Sequence, residues 1–160
     1  MERISSRLAQ ISDRINSIIE QLIGVLGIMM ATIMGAQVIA RYVFNHSLFW
    51  SEEVGRIILV WLTFLGSTVA YKRKLHIGIE FFVRKFSPPL RRLCFFVTVV
   101  ASLVFFLAII LLGVKFFSVA AMYKTAALGI PGVFIYSVIP LSGVVLIIHG
   151  ANLIMESFRR

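Results

Sequence analysis

Residues 41–80 read RYVFNHSLFWSEEVGRIILVWLTFLGSTVAYKRKLHIGIE, an apolar segment with charged groups at both ends. Charged side chains beside lipid are costly unless they find a partner or a wet cavity. The stretch therefore predicts a membrane-spanning helix whose two ends make specific contacts. The charged and titratable groups at these ends are Glu52, Glu53 and Arg56 before the apolar part and Lys72, Arg73, Lys74 and His76 after it.

The composition of the whole chain also indicates a membrane protein. Of its 160 residues, 59% are hydrophobic and 14% are charged, and the mean hydropathy is +0.96. A soluble domain has about 45–50% apolar and about 25% charged residues, so we expect one integral membrane domain over residues 1–160. The single cysteine, Cys94, excludes an internal disulfide and a cysteine-based metal site.

Uncharged runs predict an all-α protein with four transmembrane helices. A bilayer crossing takes about 20 residues, so the short run after Arg56 must be extended back to Glu53. An amphipathic segment at 1–20 precedes the first span, and a short interfacial helix is predicted at about 77–87. The predicted spans are about 21–41, 53–72, 92–115 and 132–155.

The amphipathic segment carries an apolar stripe at spacings of four and three residues. Two interpretations are open: the segment lies at the membrane interface, or its stripe docks on a partner helix. The same two roles, lipid anchor and partner contact, are open for the interfacial helix at 77–87. The stripe consists of Ile4, Leu8, Ile11, Ile15, Ile18 and Leu22.

The distribution of Lys and Arg predicts the orientation of the chain. Twelve of the 16 cations fall before span one, between spans two and three, or at the C-terminus. We therefore expect both termini to be cytoplasmic, and the net charge of +9 to face anionic headgroups rather than nucleic acid. The four cations on the other side are Arg41, Arg56, Lys115 and Lys124.

Small residues predict sites of close helix packing. Gly27, Ala31 and Gly35 recur every four residues on span one, and Gly66 lies on span two. Such spacing lets helix backbones approach in lipid, and we favour packing within the chain over packing against another chain.

Two prolines and a histidine predict further features of the fourth span. Pro131 marks the turn that enters this helix, and Pro140 predicts a kink because it frees the Tyr136 carbonyl, which Ser137 could help to satisfy. For His149, a hydrogen bond between helices is favoured over a role as a proton relay.

The cluster at the start of span two has two interpretations. Ser51 is a plausible N-cap, and Arg56 lies four residues after Glu52 and three after Glu53, so either carboxylate can pair with it. The cluster is then a local ion pair that closes a helix start. The presence of two tryptophans, Trp50 and Trp61, with Arg41 nearby to offset a second carboxylate, favours instead a contact surface.

Catalysis and unaided transport are not supported by the residue pattern. The three histidines fall at different depths, and no metal-ligand spacing, nucleophile motif or phosphate-binding glycine loop occurs. No inverted repeat or glycine-interrupted helix pair typical of a carrier is visible. We therefore predict a protein that is not an enzyme.

An ordered set of motifs, with four predicted spans over roughly residues 20–155, resembles the small membrane subunit of tripartite ATP-independent periplasmic (TRAP) transporters, the DctQ-like family. The motifs are Arg41-Tyr-Val-Phe-Asn45, Trp50-Ser-Glu-Glu53, Arg56, Trp61, Phe64-Leu-Gly66, His76-Ile-Gly-Ile-Glu80 and Ala127-Leu-Gly-Ile-Pro131, followed by Tyr136 and Pro140.

The resemblance implies a scaffold subunit of a secondary transporter in the bacterial inner membrane. Its partners would be a large DctM-like membrane subunit, a periplasmic substrate-binding protein and membrane lipids. The chain itself would hold no cofactor, and sodium ions are expected in the large subunit, which would drive uptake of an organic acid. The alternative is a small autonomous four-helix carrier acting as a homodimer.

The resemblance also suggests roles for individual residues. Glu52, Glu53 and Arg56 would face the large subunit or the periplasmic docking surface. The residues expected to form a partner interface or to have structural roles are Gly27, Ala31, Gly35, Arg41, Asn45, Trp50, Glu52, Glu53, Arg56, Trp61, Gly66, His76, Pro131 and Pro140.

Overall fold

The computed structural model of the chain describes residues 2–73 and 86–157, and this part of the chain is helical with short connections. Four segments are long and apolar enough to cross a membrane, which confirms the predicted all-α architecture with four spans. His76 and residues 77–85 of the predicted interfacial helix lie outside the described residues. The helices are α1 (Glu2–Val43), α2 (Phe49–Lys72), α3 (Pro88–Ala120), α4 (Gly132–Tyr136) and α5 (Val138–Ser157).

Helix α1 runs without a break from the predicted amphipathic segment into the first span. At 1.5 Å per residue its 42 residues extend about 63 Å, roughly twice the ~30 Å hydrocarbon core of a bilayer. Residues 2–20 are therefore the first part of a long helix and not a separate interfacial one.

The face of α1 that packs inside the bundle coincides only in part with the predicted stripe. Ile15 of the stripe packs against the core, but Ile11 and Ile18 are exposed, whereas Ser12 and Ile19, outside the stripe, are buried. The stripe was only partly right because this part of α1 carries apolar residues on more than one face, and their spacing does not identify the face that is covered.

Helix α5 lies at the centre of the bundle and contacts α1, α2 and α3. The main cluster of buried apolar side chains combines Ile19 of α1, Leu65 of α2, and Val138 and Val145 of α5. Burial of apolar surface does not by itself hold helices together in lipid, so van der Waals packing must supply much of the association. The middle of the bundle is occupied by these packed apolar side chains.

Glycines provide the closest approach between α3 and α5. A Cβ atom added at Gly143 would lie 2.7 Å from the Ile110 side chain and 3.3 Å from the Phe106 carbonyl oxygen. A Cβ atom at Gly113 would lie 3.0 Å from Pro140. These two positions lack side chains because the neighbouring helix occupies the space.

The small residues predicted to pack within the chain are not covered by it. A Cβ atom added at Gly27, Gly35 or Gly66 would meet nothing within 4 Å, and Ala31 is exposed. The preference for internal packing of this stripe is therefore wrong. The spacing of small residues does not reveal which face of a helix a neighbour will cover.

The fourth span is interrupted at Ser137, which separates α4 from α5. Pro140 lies three residues later and has no N–H to donate to the Tyr136 carbonyl, which explains the interruption. The Ser137 hydroxyl donates to the Phe134 carbonyl at 2.8 Å and not to that of Tyr136, contrary to expectation.

The bundle has two polar ends, which we call the Lys72 end and the Glu53 end. The Lys72 end holds the first part of α1, the last turn of α2 and the second half of α5. The Glu53 end holds the connection between α1 and α2 and the loop between α3 and α4. Along α1, Asp13 and Arg41 are 28 residues apart, or about 42 Å, which matches a bilayer of ~40–45 Å with its headgroups.

Candidate functional site

Glu53 joins α2 to the loop between α3 and α4. Its two carboxylate oxygens accept hydrogen bonds from the backbone N–H groups of Ala127, at 2.6 Å, and Leu128, at 3.0 Å. A carboxylate that accepts from two successive N–H groups fixes the loop at two points. Glu53 therefore makes a contact within the chain, although the sequence suggested a contact with a partner.

The loop that Glu53 holds is also closed by its own hydrogen bonds. The Thr125 hydroxyl accepts from the Ile130 N–H, and the Thr125 carbonyl accepts from the Gly129 N–H, each at 3.0 Å. Gly129 has a φ of +66°, a left-handed conformation that glycine adopts without steric cost. Pro131 lies at the N-cap of α4 and forms an isolated antiparallel bridge with Lys124, so it marks the predicted turn into the fourth span.

The predicted ion pair between Arg56 and a neighbouring carboxylate is not formed. Glu53 is bound to the loop, and Glu52 accepts a hydrogen bond from the buried Gln37 of α1 at 3.3 Å. Within the described part of the chain, Arg56 has no ion pair or hydrogen bond through its side chain. The spacing in the sequence predicted an ion pair that does not form, because both acids bind groups from more distant parts of the chain.

The start of α2 also differs from the expectation. The helix begins at Phe49 with Leu48 as its N-cap, so Ser51 lies inside the first turn. The buried Ser51 hydroxyl donates to the Leu48 carbonyl at 2.6 Å and caps no N–H group.

A recess of about 550 Å³ opens beside Arg56, and we call it the Arg56 recess. Its walls come from the first turns of α2, the loop after α3, and the interrupted fourth span. Its lining combines charged and polar groups with apolar and aromatic side chains. The lining residues are Phe49, Glu52, Glu53, Arg56, Ile57, Val60, Tyr123, Thr125, Ala126, Ala127, Ile135 and Tyr136.

The other predicted residues at this end lie around the turn that connects α1 to α2. Arg41 is exposed in the last turn of α1, and Asn45 is exposed with a φ of +50°. The His46 N–H donates to the Ala40 carbonyl at 3.0 Å and closes the end of α1. Trp50 is partly exposed in the first turn of α2. These residues surround the turn and do not join the Arg56 recess.

Trp61 lies deeper in the bundle, with its ring centroid 6.1 Å from that of Phe134. Its indole Nε1 is buried and has no hydrogen-bond partner among the described residues. The ring therefore packs inside the chain, between α2 and the fourth span.

At the Lys72 end, polar side chains connect three helices. The Ser12 hydroxyl of α1 lies 2.8 Å from Nδ1 of His149 on α5 and accepts from the Lys72 ammonium of α2 at 3.0 Å. Lys72 also forms an ion pair with Asp13. His149 is almost completely buried, which confirms the interpretation that it is hydrogen-bonded between helices.

A second pair strengthens the same contact between α1 and α2. Arg73 forms an ion pair with Glu20 at 2.7 Å, and Asn16 donates to the same carboxylate at 2.6 Å. Sequence reasoning missed both pairs because it treated residues 1–20 as a separate segment. One signal was available: Asp13 and Glu20 are seven residues apart on one face of a helix, and two adjacent cations end span two.

No metal centre is indicated in residues 2–73 and 86–157, where no group of three His, Cys, Asp or Glu side chains is arranged to hold an ion.

Comparison with known proteins identifies one family. The family model for the DctQ component of tripartite ATP-independent periplasmic transporters matches residues 30–160. The chain is 30% identical over 135 residues to the sialic acid TRAP transporter permease protein SiaT of Haemophilus influenzae; the match covers 82% of the chain but 21% of SiaT.

Two smaller proteins of Vibrio cholerae are also similar. The sialic acid TRAP transporter small permease protein SiaQ is 29% identical over 133 residues, which cover 83% of the chain and 77% of SiaQ. The C4-dicarboxylate TRAP transporter small permease protein DctQ is 33% identical over 100 residues, which cover 62% of the chain and 42% of that protein. The chain thus spans about a fifth of SiaT and less than half of this DctQ protein.

Proposed function

Because this chain belongs to the DctQ component family of tripartite ATP-independent periplasmic transporters, we propose that it is the non-catalytic scaffold subunit of such a transporter. It packs on the large DctM-like membrane subunit and supports sodium-driven uptake of an organic acid. A periplasmic binding protein delivers the acid, and the sodium sites lie in the large subunit.

The uncovered small-residue face of α1 is the observation that carries this proposal. Gly24, Gly27 and Gly35 have open space where a side chain would be, and Ala31 on the same face is exposed. From Gly24 to Gly35 this face extends about 16 Å along the helix. Small residues over this length favour close contact with a helix of another chain.

The distribution of polar groups supports a scaffold and disfavours an unaided carrier. The described polar clusters lie at the two ends of the bundle, and the centre is filled by Leu65, Val138 and Val145. A carrier needs a substrate site near the middle of the membrane, generally formed by broken helices with exposed backbone groups. The helix break at Ser137 does not form such a substrate site, because the neighbouring Val138 is fully buried and leaves no open space there.

Similarity to SiaT supports contact with a large subunit. The stretch similar to this chain forms only about a fifth of SiaT, so in that permease protein it belongs to a much longer polypeptide. Two modules that are joined in one relative are expected to touch when they are separate chains.

The placement of charge supports an orientation with both termini in the cytoplasm of a bacterium and the chain in its inner membrane. Lys72 and Arg73 lie at one end of the bundle, and Arg41, Arg56 and Lys124 lie at the other. The Lys72 end adjoins residues 74–92, which hold five further cations, so the positive-inside rule assigns it to the cytoplasm. The Glu53 end then faces the periplasm, where the binding protein docks.

The proposal is tested by a matched pair of substitutions in the chain co-expressed with the large membrane subunit. Ala31→Leu adds bulk to the uncovered face of α1, and Ala101→Leu adds the same bulk to an exposed position on α3. Overpacking of a contact costs about 1–3 kcal/mol, so Ala31→Leu should reduce co-purification of the large subunit at least about fivefold. Ala101→Leu should leave it unchanged.

Equal co-purification by both variants and the unsubstituted chain would contradict the assignment of this face. A stable homo-oligomer that transports an organic acid unaided in liposomes would exclude the scaffold function and favour the autonomous carrier.

A further inference from the structure

We propose that the Arg56 recess binds a glycerophospholipid. The phosphate would sit on the Arg56 guanidinium, and the first part of an acyl chain would lie against Ile57, Val60 and Ile135. This inference rests on the recess alone and does not require the scaffold function.

The first step is the unmatched charge of Arg56. Arg56 lies inside the spanning helix Phe49–Lys72, seven residues or about 10 Å from its start. Both neighbouring carboxylates are held elsewhere, Glu52 by Gln37 and Glu53 by the loop amides. A cation at the membrane boundary requires an anionic partner or water, and no described residue provides the anion.

The second step is the chemistry of the partner. A guanidinium presents a planar fork of N–H donors that matches the oxygens of a phosphate in a bidentate arrangement. Arg56 is exposed at the surface of the bundle, so a ligand reaches it without rearrangement of the helices.

The third step is the mixed polar and apolar lining of the recess. Ile57 and Val60 follow Arg56 along α2, and Ile135 of α4 lines the same space. Phe49, Tyr123 and Tyr136 add aromatic rings, which are typical of the level at which headgroups meet acyl chains. Along α2 the recess is lined by two carboxylates, then by the Arg56 guanidinium and then by apolar side chains, and a phospholipid likewise passes from its polar headgroup through the phosphate to its acyl chains.

The size and position of the recess favour a lipid over an acidic side chain of a partner. Its volume of about 550 Å³ falls in the range of ~300–1,000 Å³ that small-molecule sites occupy. A carboxylate would pair with Arg56 but would leave the apolar surface of Ile57, Val60 and Ile135 without a contact. These residues belong to two spanning segments, which acyl chains surround in a bilayer.

The test measures lipid retention by native mass spectrometry on the 160-residue chain in detergent, with phosphatidylglycerol added. Arg56→Gln keeps the size of a polar side chain but removes the charge. Loss of a charge-assisted contact should weaken retention about tenfold. Lys115→Gln, at an exposed cation near the same end but outside the recess, should retain the lipid as the unsubstituted chain does.

A second variant tests the apolar part of the recess without a change of charge. Ile57→Trp fills the space beside Arg56 and should also reduce lipid retention, while the helical circular dichroism signal stays unchanged. Glycerol 3-phosphate and inorganic phosphate at millimolar concentration should fail to displace the lipid, because they lack the acyl chain.

Three results would overturn the proposal. The first is equal lipid retention by Arg56→Gln and Lys115→Gln, which would mean non-specific attraction. The second is displacement of the lipid by inorganic phosphate, which would mean a site for a free anion. The third is a cross-link in the assembled complex between Arg56 and a carboxylate of another subunit, with no lipid retained.

Discussion

Gly143 of α5 and Gly27 of α1 are the same residue type in two spanning helices, but their surroundings are opposite. Helix α3 fills the space beside Gly143, with an Ile110 side-chain atom 2.7 Å from the position of a Cβ, whereas nothing lies within 4 Å at Gly27. The covered glycine is needed for contact inside the chain. The uncovered glycine makes no close contact inside the chain, so we assign it to contact with another chain.

The largest effect that tests this comparison is expected at the covered position. Gly143→Ala places a methyl group against Ile110 and the Phe106 carbonyl oxygen, so the Ile110 side chain must shift or α3 and α5 must move apart. Overpacking of this kind costs about 1–3 kcal/mol, and the midpoint of thermal or detergent-induced unfolding should fall accordingly. An unfolding midpoint equal to that of the unsubstituted chain would show that the contact between α3 and α5 is looser than described.

An intermediate, local effect is expected at the hydrogen bonds by which Glu53 of α2 holds the loop after α3. Glu53→Gln replaces two acceptor oxygens with one oxygen and one NH₂ group, so either the Ala127 or the Leu128 N–H loses its partner. Hydrogen exchange at these two amides should become faster, while exchange in the middle of α5 stays the same. Unchanged exchange at both amides would show that the loop is held by its own Thr125 contacts without Glu53.

The smallest effect is expected at the uncovered glycine. Gly27→Ala adds a methyl group to open space and removes a glycine from the interior of a helix, so the unfolding free energy of the isolated chain should stay the same or rise by up to about 1 kcal/mol. A loss as large as that of Gly143→Ala, measured by the same unfolding assay, would mean that α1 is covered inside the chain after all.

The architecture could be predicted from the sequence because three spans are long uncharged runs and the second, shorter run reaches the length of a crossing when it is extended back to Glu53. The four spans and their order follow from hydropathy and length. The packing could not be predicted, since a spacing of four residues places Gly27, Ala31 and Gly35 on one face but does not identify the neighbour. The contact between α3 and α5 depends on residues of both helices, Gly113 with Pro140 and Gly143 with Ile110.

The polar ends could be predicted only in part, for a related reason. Sequence spacing identified Glu52, Glu53 and Arg56 as close in space, but local spacing favours pairs within one helix. The partners of Glu53 lie 74 and 75 residues away in the chain, and they are backbone groups that carry no sequence signal. Asp13 with Lys72 is likewise a pair between two helices, 59 residues apart in the chain.

The most direct test of the central claim is to identify what contacts the uncovered face of α1 in the assembled transporter. A small photo-reactive amino acid is placed at Ala31, on this face, or at Thr98, an exposed position on α3, in cells that express all subunits. The probe at Ala31 is expected to cross-link to a larger membrane subunit, and the probe at Thr98 to lipid alone. Cross-links from Ala31 only to lipid or to a second copy of this chain, while the large subunit co-purifies, would contradict the account.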